Sequence, residues 1–338
     1  MKYTDNEICT LLLCSYIGIP SGSDMKPLTT GEWSRFVDVL IEKKLEPSIV
    51  YRENLDTLKE AGYDDEFIER LKRLSDRGTS LAFDMDEYEK RGIRAVTCIS
   101  KNYPVLLRRI LKKKQPPVLF YAGDITLSGK MGIGVVGSRN ISEDGIYFTT
   151  RLAEKAVQEN LLIYSGGAKG VDTISVNTSF EYGGAAVSYI ADALKDRIKQ
   201  KDTAAAVSDG KLLLFSDAKP DAGFSAARAM CRNKYIYASS MGTFVVESDY
   251  KKGGTWAGAS EAIKNQWGTT LIRNCLTEGN CRLIEAGGIP YTLSDTGLLE
   301  TIHAANSCKT KTEQPQNKET YTQMSLTDYL IPEEKQQV

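Results

Sequence analysis

The chain has 338 residues, with 43 Lys and Arg against 44 Asp and Glu, a formal net charge of −1 and a hydrophobic share of 41%. That balance is ordinary for a folded globular protein, and it excludes retention of nucleic acid by bulk charge, so any such affinity must come from a local patch. A single histidine, His303, and seven cysteines without C-x-x-C spacing leave no basis for Ser-His-Asp or Cys-His catalysis, a zinc ribbon or a disulfide framework.

No apolar run approaches the length of a membrane span, and the stretch Ile8–Ile19 is short and interrupted. The opening residues MKYTDNEICTLLLCSYIG lack a small-residue cleavage site. A cytoplasmic protein with buried, reduced cysteines and no membrane partner is therefore expected. Helical periodicity predicts helices over 7–17, 30–44, 49–60 and 65–81, with a Gly/Pro/Ser break at IPSGSDMKP. These elements predict a small N-terminal helical domain over residues 1–80. Next comes KNYPVLLRRILKKK, Lys101–Lys114, with six basic residues and no acid. It reads equally well as a solvated helix face or as a phosphate-facing surface.

From about Met131 the pattern changes to short apolar strands alternating with helices. The strand cores are Ile133–Val136, Leu161–Tyr164, Ala185–Ile190, Leu212–Phe215, Thr243–Val246 and Thr269–Ile272, with helical segments such as Ser142–Gln158 and Trp256–Asn265 between them. Apolar strands with helical crossovers predict an α/β fold, a doubly wound, mostly parallel Rossmann-like sheet over residues 81–300, with ligands beyond the carboxyl ends of the strands. After about Thr301 the chain becomes polar, which predicts a disordered tail over 301–338 carrying a short amphipathic peptide.

The stretch GIGVVGSR at 132–139 contains the letters of a dinucleotide fingerprint. Yet Gly132 and Gly134 fall inside the strand, and no acid ends the second strand, so neither a nicotinamide nor a flavin cofactor is expected. The informative residues follow the strands. Gly137, Ser138 and Arg139 end the first and precede a helix N-terminus, a combination suited to phosphate. Ser165-Gly-Gly-Ala-Lys-Gly-Val-Asp172 ends the second, where Gly166, Gly167 and Gly170 can expose backbone N–H groups and Lys169 adds charge. Arg228 and the triplet Arg232, Asn233 and Lys234 lie in an amphipathic segment before the fifth strand. That strand ends in Glu247, and a basic turn containing Gly253, Gly254 and Thr255 leads into the next helix. All four groups are expected at one edge of the sheet.

Taken in order, GIRAVTCISKNYPVLLRRI, PPVLFYAGD, VVGSRN, SGGAKGVD, RNKYIYASS, VVES and the GGT turn resemble the DNA-processing protein A family, also called DprA or Smf, over about Gly92–Gly288. The resemblance implies an extended Rossmann-like domain that binds single-stranded DNA in a basic pocket at the strand ends. It implies protection of that DNA, help in loading RecA during natural transformation or recombination, and a homodimer, without enzymatic activity, cofactor or metal. The resemblance implies single-stranded DNA contacts at Gly137, Ser138, Arg139, Gly166, Gly167, Lys169, Arg232, Asn233 and Lys234, and the phosphate-suited turns add Gly170, Gly253, Gly254 and Thr255, thirteen expected site residues in all. The sequence departs from the family pattern after Asp172, where Thr-Ile-Ser-Val-Asn replaces a His-containing segment, and at Gly223–Arg228, where an aromatic-Pro pair is absent. Gln323–Leu330, QMSLTDYL, resembles sliding-clamp-binding peptides. A second reading comes from the related lysine-decarboxylase-like group, possibly in phage defence. It would make the protein a sensor or hydrolase of nucleotides, with Glu247 as the acid.

Overall fold

Apolar runs between residues 93 and 291 build nine strands in the computed structural model, which describes residues 3–51 and 56–312, the side chains of 308–312 excepted. The first four are β1 (Ile93–Thr97), β2 (Val118–Ala122), β3 (Gly132–Val136) and β4 (Leu162–Ser165). They are followed by β5 (Ala186–Tyr189), β6 (Leu212–Ser216), β7 (Gly242–Val245), β8 (Thr269–Arg273) and β9 (Ile289–Tyr291). The nine form one sheet in the order β1-β2-β6-β5-β4-β3-β7-β8-β9. β3 to β9 pair parallel with one another, whereas β1 pairs antiparallel with β2, and β2 with β6. The doubly wound class expected from the sequence is present, and all six expected strands occur. β1, β2 and β9 are additional. β9 is only three residues long and carries Pro290, which is tolerated because the strand lies at the edge.

Side chains alternate across the sheet, and both faces are buried. Leu162, Tyr164, Leu213 and Phe215 enter one apolar layer, while Ile163, Leu212 and Leu214 enter the other. The chain runs outward from β3 through β4 and β5 to β6, then returns to place β7 on the opposite side of β3. The return crossover is the helix Ala226–Ser239, which packs over β3, β4, β5 and β7. The strand order therefore reverses between β3 and β7, and this switch point is where a doubly wound sheet opens a crevice.

The N-terminal helices differ from expectation at their ends. Asp5–Cys14 and Thr30–Glu42 both open on capping boxes, Thr4 with Glu7 and Thr29 with Glu32. The expected helix over 65–81 is two helices, Asp65–Ser75 and Gly78–Glu89. Between them Arg77 is buried and donates to the carbonyls of Leu12, Ile17 and Leu74. Its guanidinium thus serves the last-turn carbonyls of Leu12 and Leu74 and the loop carbonyl of Ile17. The division expected near residue 80 falls inside Gly78–Glu89. Trp33, Phe36 and Leu71 of the N-terminal helices share one apolar layer with Val96 and Tyr121 of the sheet.

Two further expectations are corrected. Residues 301–312 are not a disordered tail but belong to the helix Leu298–Thr312. Leu298, Ile302 and Ala305 lie on one face and are buried, with Ile302 packed over Gly242. The polar letters between them conceal this narrow apolar stripe. The remainder of the tail, with Gln323–Leu330, lies outside the described residues. Cys231 is exposed, unlike the buried Cys9 and Cys98, because it sits on the outer face of its helix. Among the described residues no helix is long and apolar enough to cross a membrane.

Candidate functional site

The crevice at the switch point is a cleft of about 650 Å³. Its walls come from the segments that follow β3 and β7, from Ala168 and Asp172 beyond β4, and from one side of the helix Ala226–Ser239, from Ala226 to Tyr237. The loops are tied together below it. The Ser138 N–H donates to the Glu247 carbonyl at 2.9 Å, and the Val171 N–H reaches the Ser138 carbonyl at 3.4 Å. Gly170 has φ +78° and lies so close to the Ser138 carbonyl that a Cβ there would overlap it.

Of the thirteen expected site residues, Gly137, Ser138, Arg139, Arg232, Asn233, Gly253, Gly254 and Thr255 line the cleft. Gly166 and Gly170 lie outside the lining, against Arg232 and against the Ser138–Arg139 backbone, whereas Gly167 lies beside Ile190 and Arg197. Lys169 is exposed outside the lining, and Lys234 points away with its ammonium 5.3 Å from the Tyr235 ring. Gly253, Gly254 and Thr255 are the first turn of the helix Gly253–Asn265, not a loop ahead of it. Asn233 donates to the Gly254 carbonyl at 2.9 Å, so it clamps that helix end. The Ser138 hydroxyl accepts from the Asn140 N–H at 3.1 Å, which leaves the expected Ser138 hydroxyl engaged in the turn.

The charge in the cleft is asymmetric. Arg139, Arg232, Lys251 and Lys252 face two carboxylates, Asp172 and Asp249. Asp172 is occupied, accepting from the Gly166 N–H at 3.1 Å and the Ala168 N–H at 3.2 Å. Burial pushes the Asp172 carboxyl up, opposed by the Arg232 charge and by these donors. Burial likewise pulls Arg232 down, opposed by Asp172, Asp192 and Asp217 and reinforced by Arg139. The Arg232 guanidinium lies against Gly166, where any side chain would collide with it. Its Nε is buried without a hydrogen-bond partner among the described residues, as are the Tyr237 hydroxyl and the Ser248 hydroxyl. All three residues line the cleft. Buried polar atoms normally find partners, so three orphans around one cationic crevice mark a place prepared for a polar, anionic ligand.

Sequence reasoning missed Tyr237, Ser248 and the rim. Phe224 and Met230 are 59% and 52% exposed at the cleft mouth, presenting apolar surface to solvent beside the cations. An exposed aromatic beside cations offers a flat apolar face on which a planar ring can stack. The signal was available in FSAARAMCRNKY, where Phe224 and Met230 precede or interleave the basic residues.

Glu247 does not face the cleft. Its carboxylate accepts from the backbone N–H of Ser142 at 3.0 Å, from the Ser142 hydroxyl, and from Arg273 at 2.8 Å. Ser142 in turn caps the helix Glu143–Gln158 by accepting from the Gly145 N–H at 3.0 Å. The Glu247 carboxylate thus anchors the loop after β3 through Ser142 and ties it to β8 through Arg273.

Fold and cleft together define a doubly wound α/β protein with a cationic, phosphate-suited crevice at its switch point. The family model for DNA recombination-mediator protein A matches residues 94–299, more than half of the chain, and the chain belongs to that family. It is 30% identical over 168 residues to the DNA processing protein DprA of Bacillus subtilis, covering 49% of this chain and 56% of that protein. It is 25% identical over 232 residues to the protein Smf of Synechocystis, covering 65% of this chain and 56% of that protein. The chain thus spans little more than half the length of these two relatives. The X-ray structure of DNA processing protein A from Streptococcus pneumoniae superposes with a TM-score of 0.63 at 23% identity, covering 86% of this chain and 96% of that one. That likeness establishes the fold.

Proposed function

We propose that the protein is a non-enzymatic DNA-processing protein that binds single-stranded DNA across the cleft between β3 and β7. The observation that carries this reading is the orphaned, buried Nε of Arg232, set in a crevice with Arg139, Lys251, Lys252 and the N-terminus of the helix Gly253–Asn265. A planar guanidinium and a helix N-terminus both favour phosphate oxygens. Phe224 at the mouth suits an unpaired base and not a duplex, whose bases are stacked away from side chains. Family membership extends the proposal to protection of the bound strand, a homodimer, and delivery to RecA in DNA uptake or recombination. The engagement of Glu247 by Ser142 and Arg273 tells against the nucleotide-hydrolase reading.

The test is a fluorescence titration of a labelled oligonucleotide at several salt concentrations, comparing the parent protein with Arg139→Ala/Lys252→Ala. Two lost phosphate contacts lower the salt slope by about 1.4, at roughly 0.7 per single-strand contact, and weaken binding at low salt. Unchanged affinity and slope would remove the cleft from the binding site.

A further inference from the structure

The basic stretch Lys101–Lys114 lies outside the cleft. It folds into the helix Val105–Leu111 and a following turn at Lys112–Lys114. Two of its six cations have internal work. Arg108 donates to the Ser100 carbonyl at 2.8 Å and stacks over Tyr103, and Lys113 pairs with Asp38 at 2.8 Å. Lys114 reaches only the Asn265 amide oxygen, at 3.5 Å. Lys101, Arg109 and Lys112 are exposed and have no ion-pair partner among the described residues.

What makes this more than a solvated face is its neighbour. The helix Val105–Leu111 packs against the helix Ala226–Ser239, one side of which walls the cleft. From Ala222 to Val246 the chain carries Arg228, Arg232 and Lys234 and not one Asp or Glu. In a protein with almost equal numbers of acids and bases, two packed helices without a carboxylate between them are a segregated positive field. The acids nearby are engaged: Asp38 is paired with Lys113, Asp217 accepts from the Tyr235 hydroxyl at 2.6 Å, Glu7 accepts from the Ser100 hydroxyl, and Asp172 accepts from the Gly166 and Ala168 N–H groups beside Arg232. Lys101, Arg109 and Lys112 thus keep exposed positive charge without an ion-pair partner, among the described residues, beside a helix that walls the cleft.

We infer that Lys101, Arg109 and Lys112 form a second contact site for the nucleic-acid backbone, taking up the strand after it leaves the cleft. This rests on the cleft reading and adds a length requirement to it. A strand filling only the cleft does not reach the ridge, whereas a longer one touches both sites and gains from the second contact as an intramolecular event. The contacts are to phosphate, so they carry no base preference.

The experiment compares oligothymidylates of about 6 and about 40 nucleotides on the parent protein, on Lys101→Ala/Arg109→Ala/Lys112→Ala, and on Arg139→Ala/Lys252→Ala. The ridge variant is expected to bind the short strand like the parent and the long one about tenfold more weakly. Its salt slope on the long strand falls by about 2, at roughly 0.7 per lost phosphate contact. Equal loss at both lengths, or none at either, overturns the ridge. The cleft variant reads the other proposal separately: it loses the short strand if the cleft is the primary site, whatever the ridge does. A parent protein that binds neither length overturns both.

Discussion

Removing the Glu247 carboxylate tests whether the loop that carries Ser138 and Arg139 is held by a buried ion pair. Glu247 and Arg273 meet at 2.8 Å with side chains only 10% and 13% exposed. Breaking a fully buried pair by deleting one partner costs about 3–5 kcal/mol, because the other charge stays desolvated. The residual exposure lowers the figure for Glu247→Ala to about 2–4 kcal/mol. Arg273→Met should cost less, since Glu247 retains the two Ser142 donors. The double variant leaves no stranded guanidinium, so it should be more stable than the sum of the singles by about 1–3 kcal/mol. Urea unfolding followed by circular dichroism reads all three from the midpoint at constant slope. Additivity within about 0.5 kcal/mol would refute the reasoning, since independent sites add and coupled ones do not.

Two further substitutions probe other parts of the argument. Gly166→Ala should push the Arg232 guanidinium out of place and weaken single-stranded DNA binding several-fold, yet cost only about 1 kcal/mol of stability because a flexible side-chain end gives way. Gly170→Ala meets the Ser138 backbone at a positive φ and should cost about 2 kcal/mol or more. Equal stability losses in paired thermal melts would contradict this. Glu32 accepts from Arg70 at 2.7 Å, which holds its carboxyl down at about 2 against an ordinary 4.5. A depressed acid stabilises the fold above its unfolded value and loses that contribution as the pH falls from about 4.5 towards about 2. The stability gap between the parent and Glu32→Gln, about 1 kcal/mol after solvent screening, should therefore shrink across that window in melts at stepped pH. A constant gap would refute the linkage.

Strand existence was legible because β3 to β8 are buried on both faces and read as unbroken apolar runs. β2, Val118–Ala122, is as apolar as these, but it is antiparallel and follows a basic helix, so it lacked the strand–helix rhythm that marked the others. Arg77 was invisible as a helix break because its acceptors, Leu12 and Ile17, lie some sixty residues away. At the site, residues immediately after strands were readable, since topology alone carries them to the sheet edge. Lys234 was misplaced for the opposite reason: it lies on a helix, where one step along the chain turns a side chain about 100°. Glu247 shows the same limit in chemical form. An acid at a strand end has one appearance in sequence whether it faces ligand or, as here, Ser142 and Arg273.

The bond from the Ser138 N–H to the Glu247 carbonyl, with Gly170 wedged beneath, means that the two sides of the cleft cannot drift apart independently. A ligand arriving there meets a mould that is already set. The ordering entropy of association then falls on the incoming chain and not on the protein. Under the function proposed for the cleft, such a mould would favour strands that are already unpaired and pliable over those that would first have to be melted.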